Sequence, residues 1–278
     1  MYLTTDSGAV MTNLIAPFVN RHHLTLRAIH ITSPPSDYKL DISPLLHNLR
    51  YFPNLTTLSV VYDFISIHQS PTSELTHFLS MHADQLQEYA LHIRGPVSYD
   101  MHPDSDDWDR QEFLRTPLPH LKKLDLSIEL FPSILCASKH LEQFAGSLTS
   151  LILSHKHFSY LNIESIVDVF SDRDLLRHLV VSIDFLSPQL LALLATKLPG
   201  LEAFSCEYKY LSSDPSNLFR REPSLQAWRR WKLRELVAQP NHTVPAEVSA
   251  AFGKAVREAV PGLRTLSLTG TGVPLLRS

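Results

Sequence analysis

The chain contains fifteen histidines, side chains that bind metal ions and transfer protons near neutral pH. The closest groupings are His22-His23 and His155-Lys156-His157. Neither has H-E-x-x-H spacing or a nearby thiol, which a zinc site of a familiar kind would supply. We therefore expect surface histidines, with no metal site and no other cofactor.

An acidic run at residues 104–109 has the composition of a calcium loop but not its spacing. An EF-hand needs glycine at the sixth place and glutamate at the twelfth, and here those places hold Asp109 and Arg115. The run predicts a solvated insertion loop at about residues 95–117. The alternative is an acidic contact patch.

A basic and aromatic cluster lies at residues 219–234, and this composition can indicate RNA or phosphate binding. It also fits a helix with Trp228 and Trp231 packed inward and with arginines such as Arg229 and Arg230 outward. Glu222 and Glu235 dilute its charge. The structural interpretation is the one we favour.

Motifs for nucleophilic or nucleotide chemistry are missing from the sequence. There is no G-x-S-x-G, and only eight glycines, arranged without a G-x-G-x-x-G or a G-x-x-x-x-G-K-[ST] loop. The two cysteines, Cys136 and Cys206, are far apart, and Cys206 falls at an apolar position predicted to be core. We expect no enzymatic activity.

The composition sets further limits on partners and location. The formal net charge is −3, which gives no overall attraction to nucleic acid or to an anionic membrane. No run of 18 apolar residues predicts a membrane span, and two cysteines without C-x-x-C spacing favour a reducing compartment. We expect a cytoplasmic protein, a nuclear one, or a protein of both compartments.

One short pattern recurs along the chain: apolar, two variable, apolar, one variable, apolar. Nine copies follow one another at intervals of 25 to 35 residues, and a regular period of this size indicates a repeat architecture. The copies begin at Leu26, Leu55, Leu86, Leu121, Leu148, Leu176, Leu201, Leu233 and Leu263. They predict strands near 26–31, 55–60, 86–91, 121–126, 148–153, 176–181, 201–206, 233–238 and 263–268.

Between the copies, apolar residues recur at helical spacing, as at Leu190, Leu191, Leu194 and Leu198. Strand and helix alternating at this period predict an α/β solenoid of about nine repeats in one domain, 1–278. Its parallel strands would line the concave side of a curved horseshoe and its helices the convex side. An all-helical repeat array is the rival fold.

This pattern resembles the leucine-rich-repeat family, in its longer, helix-bearing intracellular class. The family usually places Asn or Cys three residues after the third apolar position, where it joins adjacent turns. Here only Asn241 does so among nine places, which predicts irregular repeats. Degenerate repeats of this kind resemble the C-terminal regions of fungal F-box proteins, where an F-box binds a Skp-type adaptor and the repeats hold the substrate.

The resemblance implies a protein-recognition module, which acts as the substrate-recognition part of an F-box (SCF) ubiquitin ligase if an F-box belongs to the protein. Residues 1–22 are too few to contain one. A Skp-type adaptor is therefore expected only if an F-box lies upstream. The alternative is a repeat scaffold or an enzyme regulator, acting as an inhibitor or GTPase activator with no ubiquitin link.

Strand geometry predicts the binding residues, because the variable positions of each strand point away from the core. They mix polar, charged and aromatic types, which suits a protein partner on the concave face and disfavours nucleic acid. The predicted contact residues are His30, Ser59, Tyr62, Glu88, His92, Lys123, Asp125, Ser154, His155, His178, Ser182, Glu207, Tyr208 and Glu235.

Overall fold

A computed structural model describes residues 7–32, 41–63, 72–94, 112–127, 131, 133–212 and 222–268 of the chain. Its contacts divide the chain into two compact units, residues 1–136 and 137–278. The sequence predicts one repeat domain, 1–278. Within the described residues, no helix combines the length and apolar character needed to span a bilayer.

Each unit is α/β with an all-parallel, open sheet whose strands follow one another in chain order. The strands of the first unit are β1 Ala28–Thr32, β2 Thr57–Asp63, β3 Glu88–Arg94 and β4 Lys123–Ser127. Those of the second are β5 Ser150–Phe158, β6 His178–Leu186, β7 Ala203–Leu211, β8 Glu235–Pro240 and β9 Thr265–Leu268.

Helices connect the strands, as parallel pairing requires. Their bounds are Ser7–Val10, Ala16–Arg21, Ser43–Asn48, Thr72–His82, Glu112–Arg115, Ile134–Glu142, Tyr160–Asp168, Pro188–Lys197, Glu222–Arg230 and Ala246–Ala259, with a π-helical stretch at Met11–Ile15. Pro188–Lys197 begins as its Ser-Pro sequence predicts, since Ser187 Oγ accepts a hydrogen bond from Leu190 N at 3.3 Å.

Every strand begins at the same distance along the chain from the start of its motif copy. Each of the nine strands begins two residues after the first apolar position of its motif copy, so that this residue lies in the turn before the strand. Leu55 shows the reason, because its N–H donates to Phe52 O at 3.1 Å and closes that turn. Leu55 is nevertheless fully buried, and the first motif position is buried in seven of the nine copies. Leu26 and Leu263, in the first and last copies, are half-buried.

The strand register aligns the copies within each unit. Leu58 in β2 pairs with Tyr89 in β3, which pairs with Leu124 in β4. In the second unit, Leu179 pairs with Phe204, and Phe204 with Leu236. All six side chains are buried. Equivalent motif positions therefore form continuous apolar rows across neighbouring strands, which is how a repeat buries a face that it cannot bury alone.

Polar side chains connect successive turns in place of the missing asparagines. His82 is buried, although the sequence predicts surface histidines. Its Nε2 accepts a hydrogen bond from Phe52 N at 3.0 Å, and its Nδ1–H donates to Phe78 O at 2.8 Å. Burial lowers the pKa of His82, while the bond to Phe78 opposes this shift. The imidazole thus serves as a neutral structural link between helix Thr72–His82 and the preceding repeat.

Two further predictions about the core are confirmed. Cys206 is buried in β7, and burial raises the pKa of its thiol. Trp228 and Trp231 are buried while Arg229 and Arg230 are exposed, as the structural interpretation of the basic cluster predicts. Trp231 Nε1 also donates to Leu198 O at 3.1 Å, which joins two repeats.

The predicted insertion loop at about 95–117 lies mostly outside the described residues. Residues 95–111, which include the acidic run, are not described, whereas Glu112–Arg115 form a short helix with Phe113 and Leu114 buried.

Candidate functional site

The candidate site is the sheet face that lies opposite the core in each unit. Side chains alternate along each strand, and β6 shows this clearly, with Leu179, Val181 and Ile183 buried. The residues between them, such as Val180 and Ser182, are half-buried. We call the face formed by these intervening positions the open face.

In the first unit, five of the predicted residues lie in two adjacent rows of the open face. His30 pairs in register with Ser59, and two strands further the same row reaches Asp125. Glu88 and Lys123 are neighbours in the adjacent row. His30 and Glu88 are exposed, while Ser59, Lys123 and Asp125 are half-buried.

Two polar contacts order this surface. His92 Nε2 lies 3.1 Å from Asp125 Oδ1, and the His92 side chain is largely enclosed although its strand position is on the open face. Lys123 Nζ lies 3.9 Å from Glu88 Oε2, and both side chains are close to half exposed. The first is a close approach of an imidazole and a carboxylate that lacks hydrogen-bond geometry, whereas the second is an exposed pair that contributes little to stability.

In the second unit, the open face has a row of small and apolar residues through its middle. Ile152, Val180, Ser205, Val237 and Ser267 are register partners in β5 to β9. All five are half-buried. None of these five side chains carries a charge, so the middle of this face is uncharged.

The predicted residues of the second unit flank that row. Four of them lie on the open face, where Ser182 is half-buried and His178, Glu207 and Glu235 are exposed. Ser154 is half-buried and follows Leu153, where the register between β5 and β6 shifts. Beyond the row, Lys209 Nζ contacts Asp184 Oδ1 at 2.9 Å. Within the described residues, Glu207 and Glu235 form no ion pair.

Tyr208 was expected to be a contact residue, and this expectation is wrong. It is fully buried and lies on the same side of β7 as Phe204 and Cys206, because the alternation of buried residues continues past the motif to Tyr208. Burial raises the pKa of its phenol. Tyr62 and His155 lie in β2 and β5, but their side chains lie outside what the structure describes.

Sequence reasoning did not include His157, Asn241 and His242 among the contact residues of the second unit. Strands β5, β6 and β7 each run for nine residues, which carries polar and aromatic side chains beyond the core. Asn241 Nδ2 lies 3.4 Å from His157 Nε2, and Asn241 Oδ1 lies 2.9 Å from His242 Nδ1. The signal was available, since apolar alternation continues from Val181 to Ile183 and from Cys206 to Tyr208.

The arrangement suits binding by contact. In the described part of the chain, no group of three or more histidine, cysteine, aspartate or glutamate side chains is placed to hold a metal ion. No protein-family model matches this chain, and no curated protein matches it either. The repeat pattern, the register and the placement of side chains therefore carry the functional conclusion.

Proposed function

We propose that this protein is a non-catalytic recognition module, a leucine-rich-repeat solenoid that binds another protein on its open face. The observation that carries the proposal is the register, which places the same motif positions of successive strands in one row. Within each unit, every copy therefore presents its variable residues on the same side of the sheet, and in a curved horseshoe the helices would take the other side.

The composition of the open face supports a protein partner. The second unit contributes a row of uncharged side chains. Carboxylates, imidazoles and ammonium groups are scattered over the face, so that it carries charges of both signs. Protein interfaces mix apolar and polar groups in this way, and a nucleic-acid surface would need a predominance of positive charge.

The ubiquitin-ligase form of the proposal rests on the resemblance to fungal F-box proteins and is the more specific claim. It requires that the complete gene product contain an F-box and recover a Skp-type adaptor. Recovery of a partner without such an adaptor would favour a scaffold, and a partner enzyme whose rate changes on binding would favour a regulator.

The experiment is capture from cell lysate with a variant that blocks the open face. Ser205 is half-buried at the centre of the row in the second unit, and Ser205→Arg places a long charged side chain there. Gln189→Arg is the matched control, because Gln189 is exposed at the start of helix Pro188–Lys197. We expect a protein that wild type and Gln189→Arg both recover and that Ser205→Arg loses by at least about tenfold, the effect of removing one interface hot spot.

Both variants should melt within a few degrees of wild type, which shows that loss of capture is not loss of folding. A partner that Ser205→Arg retains at the wild-type level would contradict the proposal, and so would the absence of any protein specifically recovered by the wild type.

A further inference from the structure

A second surface lies at the outer edge of β9, the last strand of the second unit that the structure describes. Leu266 and Leu268 hold the second and third motif positions of this strand, and both are half-buried. Their register partners in β8, Leu236 and Ala238, are fully buried. The ninth copy therefore lacks the cover that a following repeat provides.

The first strand of the chain does not share this exposure. Ile29 and Ile31 hold the same two motif positions in β1, and both are buried. Helical residues precede β1, and Met11 and Ala16 among them are also buried. Half-buried leucines at these two positions thus distinguish β9 from the first strand.

The backbone of β9 has an outer edge to which no other described strand is paired. Thr265 N donates to Arg234 O at 2.9 Å, so Thr265 faces β8. Because backbone groups alternate in direction along a strand, the N–H groups of Leu266 and Leu268 point away from β8. The Arg264 carbonyl points the same way, whereas its equivalent in the preceding repeat, Arg234 O, accepts hydrogen bonds from the next strand. The edge of β9 is therefore a template for one more strand.

A groove of about 860 Å³ lies beside this edge. Leu266 and Leu268 line it from the strand, and helix Ala246–Ala259 contributes mainly small residues, which are Ala246, Ser249, Ala250 and Gly253. A Cβ at position 253 would lie 3.1 Å from Leu268 Cδ1, so the glycine allows the helix to approach the strand closely. The groove thus offers apolar walls next to unpaired backbone groups.

The charged side chains at the groove favour an acidic ligand. Lys254 and Arg257 are exposed at its border, and neither forms an ion pair within the described part of the chain. Glu258 is the third charged residue that lines the groove, and it is exposed as well. The three groups together leave a positive charge, which attracts carboxylates at the ends of a bound segment.

We propose that the outer edge of β9 binds an extended segment of a partner protein, which adds a parallel strand and inserts alternate apolar side chains into the groove. In strand addition, backbone hydrogen bonds give affinity and pockets for alternate side chains give specificity. Side chains on one face of a strand repeat about every 6.6 Å, so those of the segment pack in step with Leu266 and Leu268. Acidic residues that flank the apolar stretch lie near Lys254 and Arg257.

An extended segment fits this edge better than a helix does. A helix has already paired its own backbone groups, so it would cover the N–H groups of Leu266 and Leu268 without pairing them. The site is also separate from the open face. Leu266 and Leu268 share the side of the sheet on which Leu236 is buried, whereas Thr265 and Ser267 belong to the open face.

Fluorescence anisotropy tests the proposal with the full chain and the labelled peptide Glu-Val-Ser-Val-Ser-Val-Glu, whose ends are blocked. When the valines of a parallel strand fill the groove, the backbone of the serines faces β9. N-methylation of both serines removes these hydrogen bonds and should weaken binding at least about tenfold. N-methylation of the first and last valines should weaken it less than about threefold, because those N–H groups face solvent.

Substitutions locate the peptide on the protein. Ala250→Trp fills the groove and should weaken binding at least about tenfold, whereas Ala251→Trp, at an exposed position of the same helix outside the groove, should leave it unchanged. Both variants should melt within a few degrees of wild type. Lys254→Glu tests the charge without changing the packing, and it should weaken binding about fivefold. Ser205→Arg on the open face should have no effect.

Four results would overturn the proposal. Two concern the peptide and the groove: equal weakening by the two N-methylated peptides, or wild-type binding by both Ala250→Trp and Lys254→Glu. Self-association of the chain that Ala250→Trp abolishes would assign the groove to a second copy. Tighter peptide binding by a variant with Leu275→Asp and Leu276→Asp would assign it to residues 269–278 of the chain itself. None of these results affects the proposed function, which depends on partner capture that Ser205→Arg abolishes.

Discussion

Replacing Leu179 by alanine should lower the free energy of unfolding by about 3 kcal/mol. Leu179 is 1% exposed at the second motif position of β6, between its register partners Leu151 and Phe204. Deleting its methyl groups removes apolar burial and leaves a cavity that a row of neighbouring side chains cannot fill without shifting. Urea unfolding followed by circular dichroism measures the change.

Val180→Ala is the control, since Val180 is the next residue along the same strand. It lies half-buried on the open face, and its loss should cost less than about 1 kcal/mol. The two variants shorten neighbouring residues of one strand to alanine on opposite sides of the sheet. Equal destabilisation by both would mean that the two faces are equally packed, which contradicts an open face.

Replacing His82 by leucine should destabilise the protein by about 2 to 4 kcal/mol at pH 7.5. The leucine side chain is similar in size to the imidazole but forms no hydrogen bond. It therefore leaves the Phe52 N–H and the Phe78 carbonyl without their imidazole partner. Each unsatisfied buried group costs about 1 to 3 kcal/mol. His77→Leu, at an exposed position of the same helix, should change stability by less than about 0.5 kcal/mol.

The same variant has a defined pH dependence, because the pKa of His82 is lowered in the folded state. Above pH 6.5 the imidazole is neutral in both states. As the pH falls below 6.5, the unfolded chain binds a proton that the folded chain excludes, so the contribution of His82 to stability decreases. The free energy of unfolding decreases by at most about 1.4 kcal/mol per pH unit. The decrease stops once the pH falls below the lowered pKa of His82 in the folded state.

Urea unfolding of wild type and His82→Leu at pH 7.5, 6.0 and 5.0 measures this difference. The gap in stability between them should narrow toward low pH. A gap that widens would show that the folded state stabilises the protonated imidazole, which is the opposite of what its burial requires.

The local sequence pattern predicts where the strands lie and which face of the sheet each of their central residues takes. The motif copies are short and evenly spaced, and the alternation around Leu58 or Leu236 follows from strand geometry alone. The predicted start of each strand lies two residues before the observed start. The reason is that a buried leucine in a turn has the same sequence signal as a buried leucine in a strand. Tyr208 was misplaced because the motif does not say where a strand ends.

The sequence pattern does not predict the long-range contacts. His82 is separated by 30 residues from the Phe52 N–H that it binds, and Asn241 by 84 residues from His157. No periodic pattern encodes such pairs.

The central claim is that the open face, and not the helical side, contacts the protein partner. Photo-crosslinking tests it most directly, with p-benzoylphenylalanine placed at Ser205 or at Gln189 and the captured partner present. The account predicts a crosslink to the partner from position 205 and none from position 189. A crosslink from position 189 alone would contradict it.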